Sequence, residues 1–168
     1  MRIDEVERRL VGLPVLAVTS DIRSGSLFEL GEWVSLQRPV LNPKLSERLQ
    51  NYRGSESMLV RCMWELDSPV DLVPDGTEVR GFDSRSRLLE ALVDARISNA
   101  TFSVEPLEFL LSFSNKMKFT LTLTRPVFCS ETVKFFGKHT LSLGFSNTYW
   151  SIAPNGDIDE EQRAHLNG

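Results

Sequence analysis

Residues Ser57–Phe82 read SMLVRCMWELDSPVDLVPDGTEVRGF. Side chains alternate faces along a strand, so this stretch predicts a strand over Met58–Leu66. One face carries Met58, Val60, Cys62, Trp64 and Leu66 and is expected to be buried. The wetter face carries Arg61, Glu65 and, at the strand's exit, Asp67. An acidic loop follows, and then a short strand, Glu78–Phe82. From Glu65 to Asp83 six acids (Glu65, Asp67, Asp71, Asp75, Glu78, Asp83) stand against Arg80 alone, a local net charge of −5. The whole chain carries −4. The acidity is therefore concentrated in this one segment.

Working outward toward the N-terminus, Asn42–Tyr52 reads as a helix with Asn42 as N-cap, Pro43 at the first helical position and Gly54 as the stop. Val15–Thr19 and Ser26–Leu30, separated by the turn signal Ser24-Gly25-Ser26, form a candidate hairpin. Ile3–Val11 is a short amphipathic helix with Ile3, Val6 and Leu10 on its apolar side. Toward the C-terminus, Asp83 or Ser84 caps a helix Arg85–Ala95 whose stripe is Leu88, Leu89, Leu92 and Val93.

Beyond residue 96 the pattern turns to alternation: Ala100, Phe102, Val104; Leu107, Phe109, Leu111, Phe113; Met117, Phe119, Leu121, Leu123; Leu141, Leu143, Phe145; then Trp150 and Ile152. Opposed residues in an antiparallel pair share a face. That rule predicts a three-residue turn Ser114-Asn115-Lys116, with Phe113 opposite Met117. It aligns Phe102 with Phe109 across a connection longer than two residues. A two-residue loop Asn147-Thr148 would pair Phe145 with Trp150 and Leu143 with Ile152. Arg125–Lys138 reads as an edge strand or loop, because Pro126 cannot donate to a ladder.

The fold class expected from these elements is α+β: an antiparallel sheet with a C-terminal meander of four to five strands, and two to three helices packed on one face. Residues 1–156 are expected to form a single domain. Asp157–Gly168 would be a polar C-terminal tail, a frayed helix or disordered.

A chain of 168 residues can bury a core without disulfide or metal support. Its two cysteines, Cys62 and Cys129, are too few for a disulfide framework. Met1–Leu10 is charged rather than apolar, no apolar run reaches the length of a membrane span, and the thiols are expected to be free, so a cytoplasmic location without membrane partners is expected. An acidic sequence pI of about 5.3 argues against nucleic-acid binding and for a basic partner or an uncharged one.

No nucleophile elbow, phosphate-cradling glycine loop or dinucleotide fingerprint is present in the sequence. His139 and His165 lack metal-ligand spacing. The expectation is no catalytic residue, no metal and no cofactor. Glu65 and Asp67, two apart on one strand face, are the nearest approach to a carboxylate pair, and a solvated or partner-facing rim is the simpler reading. The candidate partner-binding residues are Glu65, Asp67, Asp71, Asp75 and Glu78, with Trp33 and Tyr149 as aromatic anchors. The tail acids Asp159, Glu160 and Glu161 are a weaker set.

The run Leu59, Cys62, Trp64, Leu66, then Val79, Gly81, Asp83, then FLLSFSNK and a closing YWSI resembles a broad group of small bacterial α+β proteins. Some of that group resemble immunity proteins of contact-dependent or polymorphic toxin systems. The resemblance covers about Ser57–Gly156. The chain departs from the group's pattern in having Glu65 after Trp64 in place of arginine, and Lys116 in place of a turn glycine. The resemblance implies a cytosolic protein that occludes a toxin domain. The residues alone leave open a small-ligand or enzymatic domain with a pocket under the helix Arg85–Ala95, and a homodimer or larger homo-oligomer built on an edge strand.

Overall fold

The alternation at the centre of the chain holds, but it crosses two sheets. The computed structural model describes residues 3–21, 25–68, 86–126, 140–145 and 148–162. Strand β3 (Tyr52–Val60) and strand β4 (Cys62–Asp67) are separated only by Arg61. Met58, Val60 and Cys62 are buried, while Met63, Glu65 and Asp67 are exposed. The two-residue period states which face a side chain takes, not which sheet its strand joins. At Arg61 the chain leaves one sheet for the other while the same parity keeps facing the shared core.

The remaining elements are α1 (Ile3–Leu10), β1 (Val15–Asp21), β2 (Gly25–Ser35), α2 (Glu47–Asn51), β5 (Ile97–Ser103), β6 (Glu108–Phe113), β7 (Lys118–Pro126), β8 (Leu141–Phe145), β9 (Thr148–Ile152) and β10 (Ile158–Gln162). They build a six-stranded sheet, β1-β2-β3-β8-β9-β10, and a four-stranded sheet, β4-β7-β6-β5. Every pairing is antiparallel. The sheets pack face to face: the ring centroids of Phe28 on β2 and Phe119 on β7 lie 5.6 Å apart, and Phe119 also meets Trp64 of its own sheet at 5.6 Å. A bridge between Pro14 and Arg96 joins them along one side. Val15 N–H donates to the Ala95 carbonyl at 2.8 Å and Ile97 N–H to the Leu13 carbonyl at 2.9 Å.

The architecture is therefore sheet-dominated and two-layered, which corrects the expectation of helices covering one sheet. The first helix stands where expected, buries Val6 and Leu10, and packs against β5. The expected helix Asn42–Tyr52 shrinks to α2, five residues with none buried. Its N-cap is Ser46, whose Oγ accepts from Leu49 N–H at 3.3 Å. Asn42 instead forms a local turn, its Oδ1 accepting from Lys44 N–H at 3.0 Å. Tyr52 already belongs to β3, whose pairing with β2 outweighs weak helix propensity. Of the expected helix Arg85–Ala95, the described part is one helical turn at 86–88 and a 3-10 turn Leu89–Leu92. Leu89 and Leu92 are buried, but the turn is too short to cover a sheet.

The first hairpin and two of the three C-terminal connections match expectation. β1 pairs with β2. Phe102 opposes Phe109 at 5.9 Å between rings, across a four-residue connection. Phe113 N–H donates to the Met117 carbonyl at 3.0 Å around Ser114-Asn115-Lys116, and Lys116 takes the left-handed position with φ 67°.

The last hairpin differs: Phe145 pairs with Thr148 and Leu143 with Trp150, two residues from the expected register. A shift of two preserves every face, so parity alone could not exclude it. Ile158–Gln162 forms β10 against β9 rather than a frayed helix. The meander is thus divided, with β5-β6-β7 in one sheet and β8-β9-β10 in the other. In Arg125–Lys138, the two leading residues end β7, and the rest, like Glu78–Phe82, lies outside the described residues.

Candidate functional site

Two places gather the groups able to recognise a partner. The first is the outer face of the four-stranded sheet. Glu65 and Asp67 are exposed there on β4, opposite Thr120 and Lys118 of β7. Among the described strands β4 pairs only with β7, so the two carboxylates sit on an edge strand. Asp71, Asp75 and Glu78 lie outside the described residues. Exposed Asp159 and Glu160 occupy the last strand of the other sheet, and Glu161 lies between them and Gln162 on the same strand. Tyr149 is half-buried opposite Gly144 and Glu161, whereas Trp150 of the opposite parity is fully buried. No cluster of three or more metal-type side chains occurs among the described residues. Cys62 is a core residue as expected, its thiol pushed up to about 12 by burial.

The second place surrounds Trp33 at the far end of β2 and β3, and rests on residues the sequence reading passed over. The ladder is regular to Leu30 opposite Glu56, then resumes at Trp33 opposite Gly54. Gly31 and Glu32 are thus spent against Ser55 alone, a β-bulge with Gly31 at φ +84°. The bulge brings the backbones close: a Cβ on Gly54 would sit 2.6 Å from the nitrogen and oxygen of Leu30. It also displaces Gly54 N–H from its ladder position, and the carboxylate of Glu29 fills that gap, accepting the bond at 2.8 Å.

Glu29 is a buried charge-bearing residue on a strand otherwise apolar at this level. Burial raises its pKa; the Gly54 N–H and the guanidinium of Arg53 partly pull it back. Arg53 Nε stands 3.8 Å from the other carboxylate oxygen. The same guanidinium donates to the carbonyls of Leu49 and Tyr52, tying Glu29 to the end of α2. Arg48 of α2 in turn lies over the Trp33 ring, 5.3 Å from its centroid. A surface groove opens beside this stack, lined by Ser35, Leu36, Glu47, Arg48, Asn51 and Tyr52. A cation, a carboxylate, an amide and a phenol converge there, groups suited to hydrogen bonding and stacking.

The structure therefore keeps Glu65 with Asp67 on one surface and places Trp33 at another, with Tyr149 apart from both. The signal for Glu29 was present, an acid flanked by Phe28 and Leu30 where alternation allows polarity, but its burial depends on the bulge two residues later. No protein-family model matches the sequence, and no curated protein or solved structure is significantly similar to it.

Proposed function

We propose that the chain is a non-catalytic cytosolic binding protein of immunity type, which neutralises a basic toxin domain by occluding it. The observation that supports this reading is the exposure of Glu65 and Asp67 on β4, an edge strand among the described strands, where they open the segment 65–83 with its net charge of −5. An exposed acidic strand offers a field that steers a basic partner. The test is co-expression with the product of the adjacent gene, followed by association kinetics. Glu65→Lys with Asp67→Lys should slow association about tenfold or more at low salt, with little change at high salt and an unchanged melting temperature. A neighbour that forms no complex, or an unaffected on-rate, would sink the reading. A second reading, a small-ligand domain, is favoured by the groove at Glu47–Tyr52, and a ligand-induced rise in melting temperature that Arg48→Ala abolishes would move the assignment there.

A further inference from the structure

The end of the β2–β3 hairpin has a character opposite to the acidic edge. Among the described residues, four of the eight exposed large apolar ones fall within 34–52: Leu41 at 95% exposure, Val34 at 50%, Tyr52 at 42% and Val40 at 38%. Three exposed cations, Arg38, Lys44 and Arg48, accompany them against the single acid Glu47, in a chain whose net charge is −4.

The apex is held in place. Val40 N–H donates to the Gln50 carbonyl at 2.8 Å, and Gln50 Nε2 donates to the carbonyls of Asn42 at 3.0 Å and Leu45 at 3.1 Å. Gln50 thus pins the residues on both sides of Leu41, and Leu41 is presented outward from a bonded frame.

We infer that this hairpin end docks peripherally on an anionic phospholipid surface, with Leu41 and Val40 entering the acyl boundary. Register decides between a membrane and a protein partner. Ser35 opposes Tyr52 while Val34 opposes Arg53, so Tyr52 and Val34 point from opposite faces of the ribbon, with Leu41 at its apex. Apolar groups on both faces suit a medium that surrounds the tip, whereas a protein surface covers one face. Exposed aliphatic side chains at the apex do not suit a nucleic acid, which would want aromatics and cations alone. Trp33 and Tyr52, set back from the apex, match the interfacial preference of amphipathic rings, and Arg38, Lys44 and Arg48 match the lipid phosphates. No helix among the described residues is long enough and apolar enough to cross a membrane, and docking of this kind needs none. The inference is independent of occlusion by the acidic strand.

The test is co-sedimentation of the full chain with phosphatidylcholine vesicles containing phosphatidylserine, and with vesicles of phosphatidylcholine alone. Binding to the anionic vesicles is expected, weakened by salt. It should fall about tenfold or more in Leu41→Asp, and fall again in Arg38→Glu with Lys44→Glu. Val104→Asp, at another well-exposed apolar position (69%) in the β5–β6 connection, should bind like the wild type, which would show that the loss is local. No binding to anionic vesicles, equal binding to neutral ones, or a Leu41→Asp protein that binds like the wild type would each overturn the inference.

Discussion

Two regions of this protein are held together by different physics. In the core, Phe28 meets Phe119 across the sheets and Trp64 meets Phe119 within one of them, through ring contacts that depend chiefly on volume and apolarity. At the far end of β2 and β3, a buried carboxylate, a guanidinium and two glycines fit one another through particular bonds. The first region resists the loss of any single contact atom but not a cavity. The second tolerates little chemical change, because each polar group there completes another's hydrogen bonding. Substitutions in the first region should therefore be global in effect, and those in the second local.

The largest effect is expected at the core. Phe119→Ala removes a fully buried ring between two aromatic neighbours, and should cost roughly 3–5 kcal/mol in urea unfolding. A cost below about 1 kcal/mol would mean that the sheets do not meet there. Glu29→Ala should cost about 1–3 kcal/mol, because it leaves the Gly54 N–H without its acceptor. Hydrogen exchange faster at Gly54 than at Met58 would show the loss to be confined to the hairpin end.

Glu29 also makes the hairpin end sensitive to pH. A carboxyl whose folded pKa is raised by burial binds its proton more tightly folded than unfolded. Stability should therefore be full below the ordinary glutamate value of 4.5 and decline as pH rises through the folded pKa. Glu29→Gln should flatten that decline, measured as melting temperature across the acid range. An unchanged slope would assign it to another group.

Smaller effects follow at exposed positions. Lys116→Gly relieves a left-handed backbone at φ 67° and should stabilise by about 1 kcal/mol. Leu41→Asp, at the exposed apex, should change stability by less than about 0.5 kcal/mol. A larger loss would show that the loop packs against the sheet, which would remove it from use as a docking tip.

Much of the sheet was legible because period-two alternation is a local property. Phe102 opposite Phe109, the turn at Ser114-Asn115-Lys116, and the inward set Met58, Val60, Cys62 all follow from it. The misjudged elements share a cause. Asn42–Tyr52 carries helix signals, yet Tyr52 and Gly54 are claimed by β2 through a ladder formed with residues some twenty positions earlier. Asp159 and Glu160 read as solvated tail, since an acidic strand needs no buried face when it lies at a sheet's edge. The exposed acids Glu65 and Asp67 were legible as candidates, and Trp33 was too. Glu29, Arg53 and Gln50 were not, because their roles are defined by partners that only the bulge and the loop bring near.

By itself the sequence determined which side chains face inward, where most chain reversals fall, and that the charge is concentrated beyond Glu65. Those are consequences of side-chain alternation, turn geometry and composition, which act within a few residues. Tertiary structure alone decided that β3 and β4 belong to different sheets, that β10 ends one of them, and that a carboxylate is buried beside the bulge at Gly31. Each depends on which distant strand supplies the hydrogen bonds, and no local pattern encodes that choice.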